Sequence, residues 1–277
     1  MASESAKLAA AIAQVDMLAA DLDDNDPKAQ ALRNLIDHAQ RNQRRLDRLI
    51  KRSDATEEKL VEANRSLETI TTNMARFVPQ TVVDALTQGG AEQVAETTRR
   101  NLTVFFSDIV GFSTMASRQE PETLAQLLME YFTAMSAICA KYGGTLDQFI
   151  GDAIVIFFGD PVSKGVKGDA VAAVEMALEM QARMDELRIK WNAEGLVQDL
   201  HVRMGISTGY CNVGNFGSAE RMHYTAIGNA VNEASRLETL AAPDTVVISA
   251  DTNALIEGKI DTVSIGEMVL KGRDHPV

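Results

Sequence analysis

A chain of 277 residues, 45% of them hydrophobic and 24% charged, can bury one large core, or one medium core beside an accessory segment, and its composition excludes disorder throughout. Its formal net charge is −12, whereas proteins that bind nucleic acids or anionic membranes usually carry a positive surface, so no nucleic-acid partner is expected. An anionic substrate would need local basic side chains or cations.

The cysteines and the apolar segments indicate the cellular location of the protein. Cys139 and Cys211 lie far apart in apolar or turn contexts that are typical of reduced thiols. The apolar runs are short or interrupted by polar residues, so we expect neither a transmembrane segment nor a signal peptide. These features favour a cytoplasmic location.

The N-terminal residues 1 to 78 are predicted to be helical. An Ala-rich amphipathic helix covers residues 1 to about 22, and a second helix is expected to begin at Asp26-Pro27, where Asp can cap and Pro fits the first turn. From Leu46 onward, apolar residues recur alternately every three and four positions, and only Ser53 and Thr56 interrupt them with polar side chains. The positions are Leu46, Leu49, Ser53, Thr56, Leu60, Ala63, Leu67, Ile70, Met74 and Phe77.

This spacing is a heptad seam, and it allows two interpretations. The helix could lie alone on the following domain, or it could form a parallel two-stranded coiled coil that joins two copies of the chain. The polar residues between Arg44 and Lys59 would leave a single helix little to pack against, which favours a dimeric coiled coil from about residue 44. Residues 79–97 are predicted to be a linker, with Pro79 ending the helix, a short helical piece from Val82 to Leu86, and Gly89-Gly90.

Residues 98–277 alternate strand and helix signals. In chain order they predict a strand at 102–107, a helix from Pro121 to Tyr142, a hairpin at 145–158 that turns at Ile150-Gly151-Asp152, a helix at 169–192, a strand at 202–207, a glycine-rich turn at 209–217, a helix at 229–240 and a strand at 245–248. This order is typical of an α+β domain with a mixed sheet.

Two carboxylates stand at the ends of predicted strands. Asp108 follows the apolar run Val104 to Phe106, and Asp152 lies in the hairpin turn. Asp108 alone could be a turn cap or a metal ligand. If the two strands pair, the carboxylates approach closely and require a cation between them, and Mg²⁺ or Mn²⁺ suits such hard oxygen ligands. The backbone amides of Val110 to Ser113 could then cradle a phosphate.

Five motifs follow one another in residues 102–277. They are FSDIVGFS at 106–113, FIGDAIVIFFG at 149–159, VRMGISTG at 202–209, YTAIGNAVNEASRLE at 224–238 and LKG at 270–272. In this order and spacing the chain resembles the class III nucleotidyl cyclases, in particular the bacterial-type adenylate cyclase catalytic domain, here behind an N-terminal coiled-coil signalling helix. The resemblance implies a ferredoxin-like mixed sheet with packed helices over 98–277, and conversion of a nucleoside triphosphate to a 3′,5′-cyclic nucleotide and pyrophosphate.

The resemblance also implies roles for individual residues and a homodimer with shared sites. Two Mg²⁺ or Mn²⁺ ions per site would be held by Asp108, Ile109 and Asp152. Asn232 and Arg236, four residues apart on one helix face, would orient the ribose and stabilise charge on the attacked phosphate. The phosphate ligands would be Gly111, Phe112, Ser113, Arg203 and Lys271, with Arg273 as a substitute for Lys271.

Base recognition is implied at Gln148 and Thr225, and here the sequence departs from the family pattern. Adenine readers are typically a Lys at the first position and an Asp or Thr at the second, whereas guanine readers are Glu and Cys. Thr225 matches the adenine pattern, but Gln148 matches neither, and its amide can serve either purine. We therefore predict ATP as the substrate and leave GTP or mixed use open.

Two other classes compete with the enzyme. The chain could be a catalytically silent nucleotide-binding module or a structural protein that dimerises through the coiled coil. The retention of Asp108, Asp152, Asn232 and Arg236 argues against the silent module. A diguanylate cyclase would need a GG(D/E)EF-type hairpin, which the residues 149–152 do not form.

Overall fold

The computed structural model describes residues 2–20, 27–74, 78–79, 82–83, 97–195, 200–218 and 220–266. Contacts divide the chain into two compact units, Met1–Asn73 and Met74–Val277. Val82 and Val83 are helical, as predicted for this stretch, and most of the predicted 79–97 linker lies outside the described residues.

The first unit is helical. Helix α1 spans Ala2–Ala20 and helix α2 spans Pro27–Met74, with Pro27 at its first position as predicted. The leucines of the heptad seam are exposed in the single chain, Leu46 at 52% and Leu60 at 62%. Their exposure leaves an apolar stripe along α2, and the coiled coil stays a prediction.

The second unit alternates strands and helices. Its elements are β1 (Thr98–Ile109), α3 (Phe112–Ala116), α4 (Pro121–Tyr142), β2 (Thr145–Ile150), β3 (Ala153–Phe158), α5 (Val166–Ala193), β4 (Val202–Gly217), β5 (Met222–Gly228), α6 (Asn229–Leu240), β6 (Val246–Ile248) and α7 (Ala250–Ile256). The predicted helices at α4 and α6 and the hairpin of β2 and β3 have the expected bounds.

The strands form one mixed sheet. Its order is β2-β3-β1-β4-β5 with antiparallel neighbours, and β6 runs parallel to the first part of β4. The predicted α+β class with a mixed sheet is therefore confirmed. Strand β1 is central, and its last residues pair with both β3 and β4: Ser107 lies opposite Ile154, and Asp108 lies opposite Arg203.

Both faces of the sheet are covered. Phe105 of β1 faces the core that also contains residues of α4 and α5, including the fully buried Trp191. Val104 faces the opposite way and packs with Ala230 and Ala234 of α6. Burial on both faces explains why β1 is a continuous apolar run rather than an alternating one.

Helix α4 is long and apolar. Among the described residues it is the one helix whose length and hydropathy would allow it to cross a membrane. In the fold it packs Leu127, Tyr131 and Met135 into the core. The core helix of a globular domain meets the same length and hydropathy criteria.

The prediction of a glycine-rich turn at 209–217 is wrong. Strand β4 continues to Gly217, pairing first with the start of β1 and then with β5, a strand that the sequence did not predict. The reason is that glycines also serve close packing, not only turns. A Cβ atom on Gly209 would lie 3.3 Å from the Cβ of Ala230, so a glycine lets α6 pack closely on β4.

Candidate active site

The two predicted carboxylates come together at one end of the sheet. Because β1 pairs with β3, Asp108 and the turn that carries Asp152 lie side by side. The backbone amide of Ile109 donates to Asp152 Oδ2 at 3.1 Å. Burial, and after it the adjacent Asp108 carboxyl, raises the pKa of Asp152 to about 7. The pair thus carries the mutual repulsion that a cation would relieve.

The chemistry of this donor set fits a hard divalent cation. Within the described ranges, His, Cys, Asp and Glu side chains form no cluster of three or more that could hold a metal. The side-chain ligands available here are therefore the two carboxylates of Asp108 and Asp152. Mg²⁺ is commonly held by one or two carboxylates, with water and substrate phosphate completing its shell. Asp108 and Asp152 therefore suit an ion that arrives with a nucleotide.

Arg203 is held by two carboxylates. Its Nη2 lies 2.8 Å from Asp108 Oδ2, and its Nε lies 2.5 Å from Glu238 Oε1, as an ion pair without good hydrogen-bond alignment. Glu238, 7% exposed, comes from α6 and was missed by the sequence prediction. Burial raises the pKa of Glu238 although Arg203 lowers it. In this arrangement Arg203 fixes Asp108, and a phosphate would have to share the guanidinium with it.

The loop after Asp108 differs in one respect from the predicted phosphate cradle. The amide of Val110 donates to the carbonyl of His201 at 2.9 Å, so it is not available to a phosphate. Gly111 adopts a left-handed conformation with φ of 71°, and Phe112 and Ser113 begin the short helix α3. The cradle is thus reduced to the residues 111–113.

Asn232 and Arg236 lie on α6, whose other face is buried. Glu233, Ala234 and Leu237 pack inward, whereas Asn232 is exposed and Arg236 is partly exposed. Neither Asn232 nor Arg236 has a hydrogen bond or ion pair with another residue that the structure describes. One chain therefore presents this pair outward.

The two predicted base-reading positions differ in their surroundings. Gln148 in β2 is exposed, and its side chain makes no hydrogen bond within the described part of the chain. Thr225 in β5 donates from Oγ1 to Asp147 Oδ2 at 2.8 Å. Asp147 was not singled out from the sequence, although it directly precedes Gln148. Lys271 and Arg273 lie outside the described residues.

Comparison with known proteins identifies the class of this fold and site. Residues 94–277 match the family described as "Adenylate and Guanylate cyclase catalytic domain". The chain therefore belongs to this family, the class III nucleotidyl cyclases, and the predicted membership is confirmed.

The similar proteins include cyclases of both base specificities. Adenylate cyclase 1 of Rhizobium meliloti (strain 1021) is 35% identical over 175 residues, which are 63% of this chain and 26% of that protein. The adenylyl cyclase CyaB from P. aeruginosa has 49% identity and a TM-score of 0.64, covering 65% of this chain and 92% of that chain. The guanylyl cyclase Cya2 has 32% identity and a TM-score of 0.62, covering 65% of this chain and 90% of that chain.

The curated relatives are much longer proteins. This chain spans 26% of the length of the R. meliloti cyclase, and 19% of the receptor-type guanylate cyclase gcy-13 of Caenorhabditis elegans, to which it is 31% identical.

Proposed function

We propose that the protein is an adenylate cyclase that converts ATP to 3′,5′-cyclic AMP and pyrophosphate at sites shared between two copies of the chain. The observation that carries the proposal is the approach of Asp108 and Asp152 at adjoining strand ends, in a chain of the cyclase family. A structural dimerisation protein would have no need of this repulsive pair.

Each side chain has a defined task in this reaction. When bound, Mg²⁺ or Mn²⁺, held by Asp108, Ile109 and Asp152, would polarise the phosphates and favour ionisation of the ribose 3′-hydroxyl, the role of two ions in related phosphoryl chemistry. Arg203 holds Asp108 in place through their 2.8 Å ion pair. Ser113 and the neighbouring amides would bind phosphate oxygens.

The partner chain supplies the remaining groups. The Arg236 guanidinium would lie against the attacked α-phosphate, where negative charge grows as the 3′-oxygen attacks, and a planar cation there lowers the barrier. Asn232 would orient the ribose. Both side chains point outward from one protomer and have no partner among the residues that the structure describes, so a second copy is the natural place for them to act.

ATP is the preferred substrate in this proposal. Thr225 matches the adenine-reading pattern, and CyaB, at 49% identity, is an adenylyl cyclase. Gln148 favours a second candidate, mixed use of ATP and GTP, because its exposed amide can rotate to serve either base.

The test is product formation by the purified full chain from ATP and from GTP, each with Mg²⁺ and with Mn²⁺. We expect cyclic AMP as the main product, and its loss in the Asp152→Asn variant. Turnover of neither nucleotide by a demonstrated dimer would contradict the proposal. Binding of the metal nucleotide without turnover would instead support a silent module.

A further inference from the structure

Asp147 lies next to the proposed base-reading residues but has no task in the proposed reaction. Its side chain is only 4% exposed, and its Oδ2 accepts the hydrogen bond from Thr225 Oγ1 at 2.8 Å. Its other oxygen, Oδ1, is buried and has no hydrogen-bond partner in the described part of the chain; His223 Nδ1 is 3.6 Å away. A carboxylate so enclosed requires an explanation.

A β-bulge places Asp147 in this position. The register of β2 against β3 passes from Leu146 opposite Ile156 to Gln148 opposite Val155, so Asp147 has no partner on β3. Strands β2 and β5 stand at opposite ends of the sheet order, so the contact with Thr225 is not one between paired strands. Bulges commonly redirect a side chain beside an active site.

The direction of this hydrogen bond limits what Thr225 can offer to a ligand. A threonine hydroxyl has one hydrogen to donate and two lone pairs that accept. An ionised carboxylate only accepts, so the hydroxyl hydrogen of Thr225 is committed to Asp147. What remains for a ligand is an acceptor.

Adenine and guanine differ at the atom that an acceptor would contact. Adenine carries an amine at C6, which donates, whereas guanine carries a carbonyl oxygen there, which accepts. The lone pairs of Thr225 would therefore attract adenine and repel guanine. Gln148 cannot make this choice alone, because its amide both donates and accepts.

We propose that Asp147 is a positioning residue that selects adenine over guanine by holding Thr225 as a hydrogen-bond acceptor. This inference rests on the proposed function, since it requires a purine to be read by Gln148 and Thr225. It assigns the base preference to a carboxylate that does not itself touch the nucleotide.

The electrostatics are consistent with this role. Burial raises the pKa of Asp147 to about 6, and the hydrogen bond from Thr225 and the charge of His223 act in the opposite direction. Asp147 is thus ionised at pH 7.5, where it can only accept.

The experiment measures kcat/KM for ATP and for GTP in the full chain at pH 7.5. Variants are Asp147→Ala, Thr225→Val and the double variant. We expect the ATP/GTP ratio of kcat/KM to fall about tenfold in Asp147→Ala. This is the effect typical of one hydrogen bond whose loss leaves a polar group unpaired. In the double variant the ratio should equal that of Thr225→Val, because Asp147 acts through the hydroxyl. Thr225→Ser should retain the preference.

A matched control is available on the opposite face of β5. Asp160 is also buried and accepts a hydrogen bond from a hydroxyl, that of Tyr224, which neighbours Thr225. Asp160→Ala should change both kcat/KM values by the same factor and leave their ratio unaltered. If Asp147→Ala does not fold, Asp147→Val removes every acceptor at this position with a residue suited to a strand and should show the same fall.

The outcomes separate this inference from the proposed function. A wild-type chain that turns over ATP, with an unchanged ATP/GTP ratio in Asp147→Ala or Asp147→Val, overturns the inference alone. A further fall in the double variant beyond Thr225→Val also overturns it. A wild-type dimer that converts neither nucleotide overturns both.

Discussion

Replacing Asp147 by asparagine should stabilise the fold at neutral pH. Asparagine has nearly the same shape, and its Oδ1 can still accept the hydrogen bond from Thr225, but it removes a buried charge. Asp147 is 4% exposed, so solvent screens this charge little. The variant should therefore be more stable than the wild type wherever Asp147 is ionised.

The size of the effect follows from the shift in pKa. Burial raises the pKa of Asp147 from 3.8 to about 6, and a shift of about 2 units corresponds to about 3 kcal/mol. Between pH 3.8 and about pH 6, Asp147 is mostly protonated in the folded state and mostly ionised in the unfolded state. The stabilisation from protonation is thus fully present below pH 3.8 and is lost as the pH rises through about 6.

The assay is urea unfolding at pH 7.5 and pH 5, at one protein concentration. The asparagine variant should exceed the wild type by up to about 3 kcal/mol at pH 7.5, and by about half as much at pH 5, where the wild type is largely protonated. The exposed Asp261→Asn is the control and should show no such pH-dependent difference. Repeating the comparison in a His223→Gln background separates Asp147 from the imidazole that faces it. A variant less stable than the wild type at pH 7.5 would refute the reasoning.

Further predictions concern packing, association and catalysis. Gly205→Ala should lose at least about 3 kcal/mol in thermal unfolding, because its Cβ would lie 2.2 Å from the backbone of α6, whereas Gly209→Ala, at 3.3 Å from a side chain, should lose about 1 kcal/mol or less. Leu60→Asp, in the heptad seam, should dissociate the dimer in sedimentation and lower activity; the equally exposed Val61→Asp lies off the seam and should change neither. Arg236→Lys should lower kcat for ATP by about 100-fold or more with unchanged thermal stability, since lysine cannot replace the planar guanidinium; retained kcat would argue against its role.

Much of the fold could be predicted because local signals mark its elements. Pro121 and Gly143 bound α4, and the Ile150-Gly151-Asp152 turn marks the hairpin. The prediction of a turn at 209–217 failed because a glycine that allows two elements to approach closely cannot be distinguished in the sequence from one that forms a turn. Only the packing of α6 on β4 distinguishes the two uses.

The site was predictable in part for a similar reason. Asp108 and Asp152 follow strands that pair, so their approach could be anticipated from the strand pattern. Asp147 and Glu238 could not be found in this way, because each is defined by a distant partner. Thr225 is 78 residues from Asp147 and reaches it across the sheet, and Glu238 is recognisable only through its ion pair with Arg203.

The central claim, cyclisation of ATP at sites built by two chains, is tested most directly by mixing two inactive variants. Asp152→Ala removes a group that one protomer would supply, and Arg236→Ala removes a group that its partner would supply. If equal amounts exchange subunits freely, half of the dimers are mixed and one of their two sites is intact, so cyclic AMP production should recover to about a quarter of the wild-type rate. A mixture that exchanges subunits but remains as inactive as each variant alone would contradict the account.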